Sequence, residues 1–415
     1  MPIILSDVSN ALEKVIQPFI TDNFDKTTPL LDSIKKNTNV TFFNDNFYAP
    51  VRTSRNGGIT NLADDGNSLV SGSSSIGQAS VAVKTLTGTF DISKLTMDAT
   101  KSRKGAVENQ LTFQARSLSS DFAKDTNRQY YSNGSGMIAQ VGGSVGAGTI
   151  GLVYPDANID DGRAGTWYGS INGDIAHAKY IQPKNIIGIG TAGADVGTVT
   201  TASGTTVVVT GAPAIVASDV IFRLDGDAEG DGTAEIQGMR EALSDSTGTS
   251  TYAAVARSTN GWTPQLGTVS EALSLSKMED KYLASLEYGQ SADRYAIFVN
   301  KTLYKKYGDI LTSMRRTVNT AELLGGWSGL EFQMGKGKVG VFLDFDVPDG
   351  EVLIVNMDSW TVCQVSPMSW AEDPASGKPL IRRRDKITYQ ATMVWFTNLI
   401  CTAPGANGRL AQKSD

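Results

Sequence analysis

Between Pro50 and Pro155 the chain carries no proline. A stretch of that length without the residue that breaks helices and central strands is free to run as long regular elements. Its first part, Tyr48–Lys94, reads as a hairpin interrupted by glycine and serine, and it leads into one uninterrupted helix over about Asp98–Tyr131. The hairpin limbs, residues 38–52 and 78–92, have the β-branched and aromatic content of strands, and the tip between them includes Ser71-Gly72-Ser73-Ser74-Ser75-Ile76-Gly77. At ~3.3 Å per residue each limb reaches on the order of 50 Å. A ribbon of that length with so few apolar side chains cannot bury itself, so it needs a neighbouring molecule to lie on. This pattern is that of an assembly subunit rather than a catalyst.

The helix that follows sets Val107, Leu111, Ala115, Leu118 and Phe122 in one apolar stripe, weakened slightly by Gly105 and stopped at Ser132-Asn133-Gly134-Ser135-Gly136. Upstream, Val8, Leu12, Val15, Ile16 and Phe19 predict a short amphipathic helix over 6–20. Thr28-Pro29 opens a second helix carrying Leu30, Leu31 and Ile34. Together these make an arm. From about Ile181 to Gln265, short β runs (Thr205–Thr210, Val216–Leu224, Tyr252–Arg257) between turn clusters predict an inserted all-β module. Thr268-Val269-Ser270-Glu271 has the spacing of a capping box for a helix bearing Leu275, Met278, Tyr282 and Leu286 and ending at Gly289. A strand over Arg294–Val299 precedes a helix capped by Asn300 and carrying Leu303, Tyr307, Ile310, Leu311 and Met314. The last third reads as strands, clearest at Val339–Phe345, Val352–Asn356, Thr361–Val365 and Ile387–Cys401.

At 415 residues the chain is long enough for roughly two to three domains and a core that needs no disulfides. Charged residues are 19% of it and glycines number 43, a bias toward turns and β structure. A net charge of −6 and a pI near 5.1 argue against the broad basic field of nucleic-acid binders, so any contact with DNA is expected to be weak and local. Cys363 and Cys401 lie in apolar, strand-like runs without framework spacing and read as buried thiols in a reducing compartment. Met1-Pro2-Ile3-Ile4-Leu5-Ser6 lacks a basic leader and a secretory core, and no run approaches the ~18 apolar residues of a membrane span, so a soluble chain made and kept inside the cell is expected.

Few residues carry chemistry. His177 is the only histidine, which removes most metal, triad and general-base designs. Gly188-Ile189-Gly190-Thr191-Ala192-Gly193 matches a dinucleotide glycine pattern, but Asp195-Val196-Gly197-Thr198-Val199 behind it is turn and strand rather than the helix N-terminus the pyrophosphate needs. Asp225, Asp227, Glu229 and Gly230 imitate the opening of a calcium loop, yet Ile236 stands where the bidentate glutamate belongs and Glu235 is one residue short, which favours a solvated acidic turn. Gly326-Trp327-Ser328-Gly329-Leu330 misses the nucleophile elbow at its last position. Arg382-Arg383-Arg384 is either a solvated strand edge or half of an intersubunit salt bridge. No catalytic, cofactor-binding or metal-ligating residue is assigned, and the chain is not expected to be an enzyme.

The order of arm, long hairpin, rod helix, mixed α/β centre and terminal sheet is joined by three local patterns. These are Tyr295-Ala296-Ile297-Phe298-Val299-Asn300-Lys301-Thr302-Leu303-Tyr304, then Leu323-Leu324-Gly325-Gly326-Trp327-Ser328-Gly329-Leu330, then Val347-Pro348-Asp349-Gly350. In these the chain resembles the major capsid protein of tailed bacteriophages, with the α+β Hong Kong 97-like coat fold. Asp219-Val220-Ile221-Phe222-Arg223 and Glu235-Ile236-Gln237-Gly238-Met239 look like the β insertion that some such coats carry. The resemblance implies an N-terminal arm over 1–47, an extended loop over 48–97 and the spine helix of a peripheral domain over 98–135. It further implies an axial domain over 136–350 with the β insertion at about 181–265, and a peripheral sheet and C-terminal segment over 351–415. It implies self-assembly into pentamers and hexamers of an icosahedral shell around double-stranded DNA, built in the bacterial host cytoplasm and located in the virion capsid. A scaffolding protein, a portal and a decoration protein would be its other partners, with no membrane. Some members weld neighbours through a Lys–Asn bond; Lys84 is the only lysine in the limbs and tip, and no partner is assigned to it. An encapsulin-like compartment would share the fold. A rival of another class, an extracellular calcium-binding adhesin or surface-layer protein suggested by the Gly/Thr-rich insertion, would need a secretion signal and melt in a calcium-dependent way.

Overall fold

The structure, a computed structural model, describes residues 27–37, 41–59, 61, 71–99, 110–134, 136–144, 148–153, 181, 186–189, 195–203, 206–211, 215, 220–223, 235–244, 250–289, 294–313, 320–322, 328–334, 337–348, 350–372, 379–383 and 386–414. These residues form two compact units. Thr87–Lys124 and Met368–Val394 build the smaller one, and Thr27–Leu86, Asp125–Pro367 and Trp395–Asp415 the larger.

The larger unit is organised on a seven-stranded sheet in the order β14-β24-β19-β15-β18-β17-β16. Its strands are β14 (Gln265–Ala272), β15 (Tyr295–Val299), β16 (Thr320–Glu322), β17 (Ser328–Met334), β18 (Gly337–Leu343), β19 (Val352–Asn356) and β24 (Gly408–Ser414). Val352-Leu353-Ile354-Val355 of β19 is an unbroken apolar run buried throughout, the pattern of a central strand covered on both faces. Helices Leu275–Tyr288 and Lys301–Ser313 pack on this sheet through Leu275, Met278, Tyr282, Leu303, Tyr307 and Leu311, joining Ile297, Val341 and Leu410 in one core. Asn300 caps the second helix as expected, its Oδ1 accepting the Leu303 N–H at 2.9 Å.

The capping box expected at Thr268–Glu271 does not form. Those residues continue β14, which pairs in parallel with β24, and the helix is capped instead by Ser274, which accepts from Lys277 N. β-branched Thr268 and Val269 suit a strand with a partner alongside, so pairing overrides the local signal.

Six strands close a barrel in the order β10-β7-β6-β11-β8-β9. They are β6 (Met137–Ser144), β7 (Thr149–Val153), β8 (Ile186–Ile189), β9 (Asp195–Ser203), β10 (Thr206–Thr210) and β11 (Val220–Arg223). Val207 and Val209 point inward with Val141, Ile150, Leu152, Ile187, Val199 and Ile221, while Thr206 and Thr210 face out, the alternation a small barrel requires. The β module expected over 181–265 is therefore shifted: β6 and β7 begin it at Met137, and among the described residues none after Arg223 joins the barrel. Tyr252–Arg257, expected as one strand, is split by a turn at Ala253-Ala254 into β12 (Thr251–Tyr252) and β13 (Val255–Ala256).

The helix expected over 98–131 is described over Gln110–Tyr131, 22 residues or about 33 Å. A separate short helix, Lys94–Ala99, precedes it; Gly105 and Val107 lie outside the described residues. In the smaller unit, Leu118 and Phe122 of the long helix come within 3.1 Å of where a Cβ on Gly88 would stand, so that glycine lets β5 (Lys84–Ser93) approach the helix. β21 (Ser369–Trp370) and β22 (Leu380–Arg382) pair with the first half of β23 (Thr388–Cys401), and Trp370 meets Phe90 edge-on. The second half of β23 pairs with β20 (Trp360–Gln364) in the larger unit, where β1 (Lys35–Asn37) adds in parallel.

Near the N-terminus Pro29 at the first helical position opens the short helix Pro29–Ser33, with Leu30, Leu31 and Ile34 buried as expected. The helix expected over 6–20 falls outside the described residues.

Candidate assembly interface

The hairpin exists but is shorter than the composition of its limbs implied. β3 (Asn46–Arg52) pairs antiparallel with β4 (Ile76–Ala82) from Asn46↔Ala82 to Arg52↔Ile76, seven residues or about 23 Å a side. The first limb folds back on itself at Asn44-Asp45, both at positive φ (49° and 58°), so β2 (Thr41–Phe43) becomes a third strand beside β3. The second limb breaks at Val83, whose N–H goes to Asp45 O, and β5 then pairs with β23 instead of prolonging the ribbon.

At its root the ribbon is tied down by single, specific bonds. Asn398 donates Nδ2 to Ala82 O at 2.6 Å and accepts the Gln237 N–H at 3.0 Å. Ser80 N donates to Ala253 O at 2.9 Å, and Phe47, Ala79 and Val81 are buried there. Further out, Arg52 holds Ser54 O at 3.1 Å and Ser74 Oγ at 2.9 Å, and Ser75 N donates to Ser54 Oγ at 2.9 Å. The limbs touch again at Gly58 and Gly72, where a Cβ on Gly58 would lie 2.5 Å from Gly72 N, so only glycine fits.

Large apolar side chains stand in water along this element: Phe43 is 71%, Ile59 90% and Ile76 78% exposed. In the smaller unit Leu95 (80%) and Ile387 (68%) are exposed together, linked by Lys94 N donating to Ile387 O at 3.1 Å. Beside them Arg383 pairs with Asp91 at 3.1 Å, so one residue of the arginine run has a partner within its own chain; Arg384 is outside the described residues.

Behind the ribbon, buried polar nodes stiffen the frame. Asn127 of the long helix accepts Leu31 N at 3.1 Å and donates to Asp344 at 3.1 Å and Asp346 at 2.7 Å, while Tyr131 donates its hydroxyl to Asp344 at 2.9 Å. Burial, then the neighbouring Asp346, pushes the Asp344 carboxyl up to about 6. Glu351 receives Arg240 and Arg409, each at 2.6 Å, with all three side chains 2% exposed. Arg128 pairs with Glu235, both side chains buried, so Glu235 is a structural partner rather than part of a solvated turn. Burial pushes the Asp358 carboxyl up, but Lys35 at 2.5 Å and Arg294 hold it at about 2, and this pair fixes β1 at the sheet edge.

None of the candidate chemistry assembles among the described residues. His177, the acidic residues at 225–230 and Trp327 lie outside them. Gly188 and Ile189 end β8 and Asp195 starts β9, its antiparallel neighbour, so no helix follows the glycine pattern; Ser328 lies within β17 rather than at an elbow. Cys363 and Cys401 are buried and free, and burial pushes both thiols up to about 12, which keeps them inert. No described group of three or more His, Cys, Asp or Glu residues is placed to hold a metal ion, and no described helix is long and apolar enough to cross a membrane.

No protein-family model matches the chain, and neither does any curated protein. Solved structures match it along its whole length. A chain of the Cyanophage A-1(L) capsid asymmetric unit shares 11% identity, with 99% of each chain covered and a TM-score of 0.59. The holo-SrpI encapsulin complex of Synechococcus elongatus PCC 7942 shares 7%, covering 100% of this chain and 97% of that one, with a TM-score of 0.51. The chain thus has the α+β Hong Kong 97-like coat fold, the architecture of capsid and compartment shells.

Proposed function

We propose that the chain is the major capsid protein of a tailed phage, closing into an icosahedral shell of pentamers and hexamers around double-stranded DNA. The observation that carries this is the full-length likeness to a phage capsid chain. The exposed apolar side chains of the ribbon and of the smaller unit supply what the fold alone does not, namely surface for heterologous contacts that close rings. With many interfaces per subunit, each contact can be weak while the shell is collectively stable. In this reading residues 1–47 are the arm, 48–97 the extended loop, 98–135 the spine and 136–350 the axial domain, whose strands β14 to β18 share their sheet with β19 and β24 of the 351–415 segment. A scaffolding protein, a portal and a decoration protein complete the shell, assembly takes place in the host cytoplasm, and the acidic chain touches packaged DNA only weakly at physiological salt.

The test is to replace residues 56–72 with a short glycine–serine turn, which spares the β3–β4 ladder. The variant should keep its fold and stop at monomers or isolated capsomers by negative-stain microscopy and light scattering. Normal shells from it would overturn the role given to the ribbon. The second reading, a cellular compartment shell, rests on the encapsulin match. Shells that co-purify with a docked enzyme instead of a genome would favour it.

A further inference from the structure

Five asparagines precede a glycine in this chain: Asn56, Asn133, Asn172, Asn260 and Asn407. At such pairs the backbone nitrogen of the glycine can reach the asparagine side chain, because no Cβ crowds its approach. Local geometry decides whether it does. Asn407 is buried and fully engaged: its Oδ1 accepts Asn356 N at 2.8 Å and Trp360 Nε1 at 2.9 Å, and its Nδ2 donates to Ala403 O at 2.8 Å and Ser359 Oγ at 3.0 Å. Asn133 and Asn260 precede glycines at φ +85° and +78°, and Asn172 lies outside the described residues.

Asn56 is different. It lies exposed near the tip of the ribbon, and its Oδ1 accepts the Gly58 N–H at 2.8 Å. That bond folds the side chain back along its own backbone, toward the intervening Gly57 nitrogen, and points a donor at the oxygen where negative charge develops during attack. Around Gly57 a Cβ would find nothing within 4 Å, so the attacking nitrogen's residue is open, although Asn56 Oδ1 itself lies against the backbone of Gly72.

We infer that Asn56-Gly57 is a self-modification site, at which the folded chain converts its own asparagine to aspartate and isoaspartate by hydrolytic deamidation. Solvent base removes the Gly57 amide proton, the nitrogen attacks Asn56 Cγ, and the new N–Cγ bond forms as the Cγ–Nδ2 bond breaks. Ammonia leaves with a proton from solvent. Water then opens the cyclic imide at either carbonyl, so the net change is one water in and one ammonia out, with no oxidation or reduction. The product places a new negative charge on the ribbon. In its isoaspartyl form it also lengthens the backbone beside the Gly58–Gly72 contact, where no extra atom fits.

Full-length protein held folded in warm, mildly alkaline buffer and mapped by mass spectrometry with isoaspartate detection tests this. Conversion at Asn56 should exceed that at Asn407 by at least about tenfold, and the gap should close in denaturant. Gly57→Ala, for which there is room, should leave the circular dichroism unchanged and slow the reaction at Asn56 by about tenfold or more. Equal rates at Asn56 and Asn407 in the folded protein, or an unslowed Gly57→Ala variant, would overturn the assignment.

Discussion

Glu351→Gln is the substitution whose outcome most directly probes how the larger unit is held together. Glu351 immediately precedes β19 and receives Arg240 from the short helix Met239–Ala242 and Arg409 from β24, each at 2.6 Å. Arg409 also donates Nη1 to Leu243 O at 3.3 Å, so this node ties the end of that helix to the central sheet. Glutamine keeps the shape but removes the charge, leaving two buried guanidiniums without their shared carboxylate. Breaking a buried ion pair in this way costs about 3–5 kcal/mol. With a urea dependence of about 3 kcal/mol per molar for a chain of this size, the midpoint should fall by about 1–2 M. Fluorescence of buried Trp360 reports the transition in this unit. Replacing all three residues by apolar ones of similar volume should cost far less, because the desolvation of three charges disappears with them. A loss below about 1 kcal/mol in Glu351→Gln, or an equal loss in the apolar triple variant, would refute the reasoning.

The remaining predictions concern a carboxylate and a glycine. Asp344 titrates at about 6 when folded, against an ordinary 3.8, so the native state holds its proton more tightly than the unfolded chain does. Its contribution to stability is complete below pH 3.8 and is lost as pH rises through about 6, by at most about 3 kcal/mol. Asp344→Asn should flatten urea midpoints measured across that window, and an undiminished slope would assign the pH dependence to other groups. Gly238→Ala would place a Cβ 2.4 Å from both Gln129 O and Ser132 O at the end of the long helix, all backbone that has nowhere to move. A loss of about 1–3 kcal/mol is expected in thermal or urea unfolding, and an unchanged midpoint would contradict the packing described.

Periodicity made the regular elements legible. The unbroken apolar run Val352–Val355, the helical stripe of Leu111, Ala115, Leu118 and Phe122, the helix start at Pro29 and the cap at Asn300 all report on what their own neighbours in sequence will do, and the structure follows them. Where strand chemistry was read as reach, it misled. Composition says that residues 38–52 and 78–92 are extended, but only the Asn44-Asp45 turn and the break at Val83 decide how far they stay paired with each other. The capping box at Thr268–Glu271 failed for a related reason: its rival, β24, lies well over a hundred residues away, and no local window contains it. The first strands of the barrel escaped the reading because β6 and β7, besides pairing with each other, close onto β11 and β10, which lie more than fifty residues further along the chain.

The polar nodes were the least legible part, and physical chemistry says why. Asp344, Glu351 and Arg409 look like surface residues in a sequence, since a charge is buried only where a partner from elsewhere in the fold meets it. Asn127 lies 217 residues from Asp344, and Arg240 111 residues from Glu351. The ribbon reverses this logic. Phe43, Ile59 and Ile76 have the chemistry of core residues and stand in water, so the partners that would bury them are absent from this chain. In the reading proposed above, charge buried within the subunit and apolar surface left outside it divide the labour: the first makes a subunit rigid enough to be copied, and the second makes each copy depend on its neighbour.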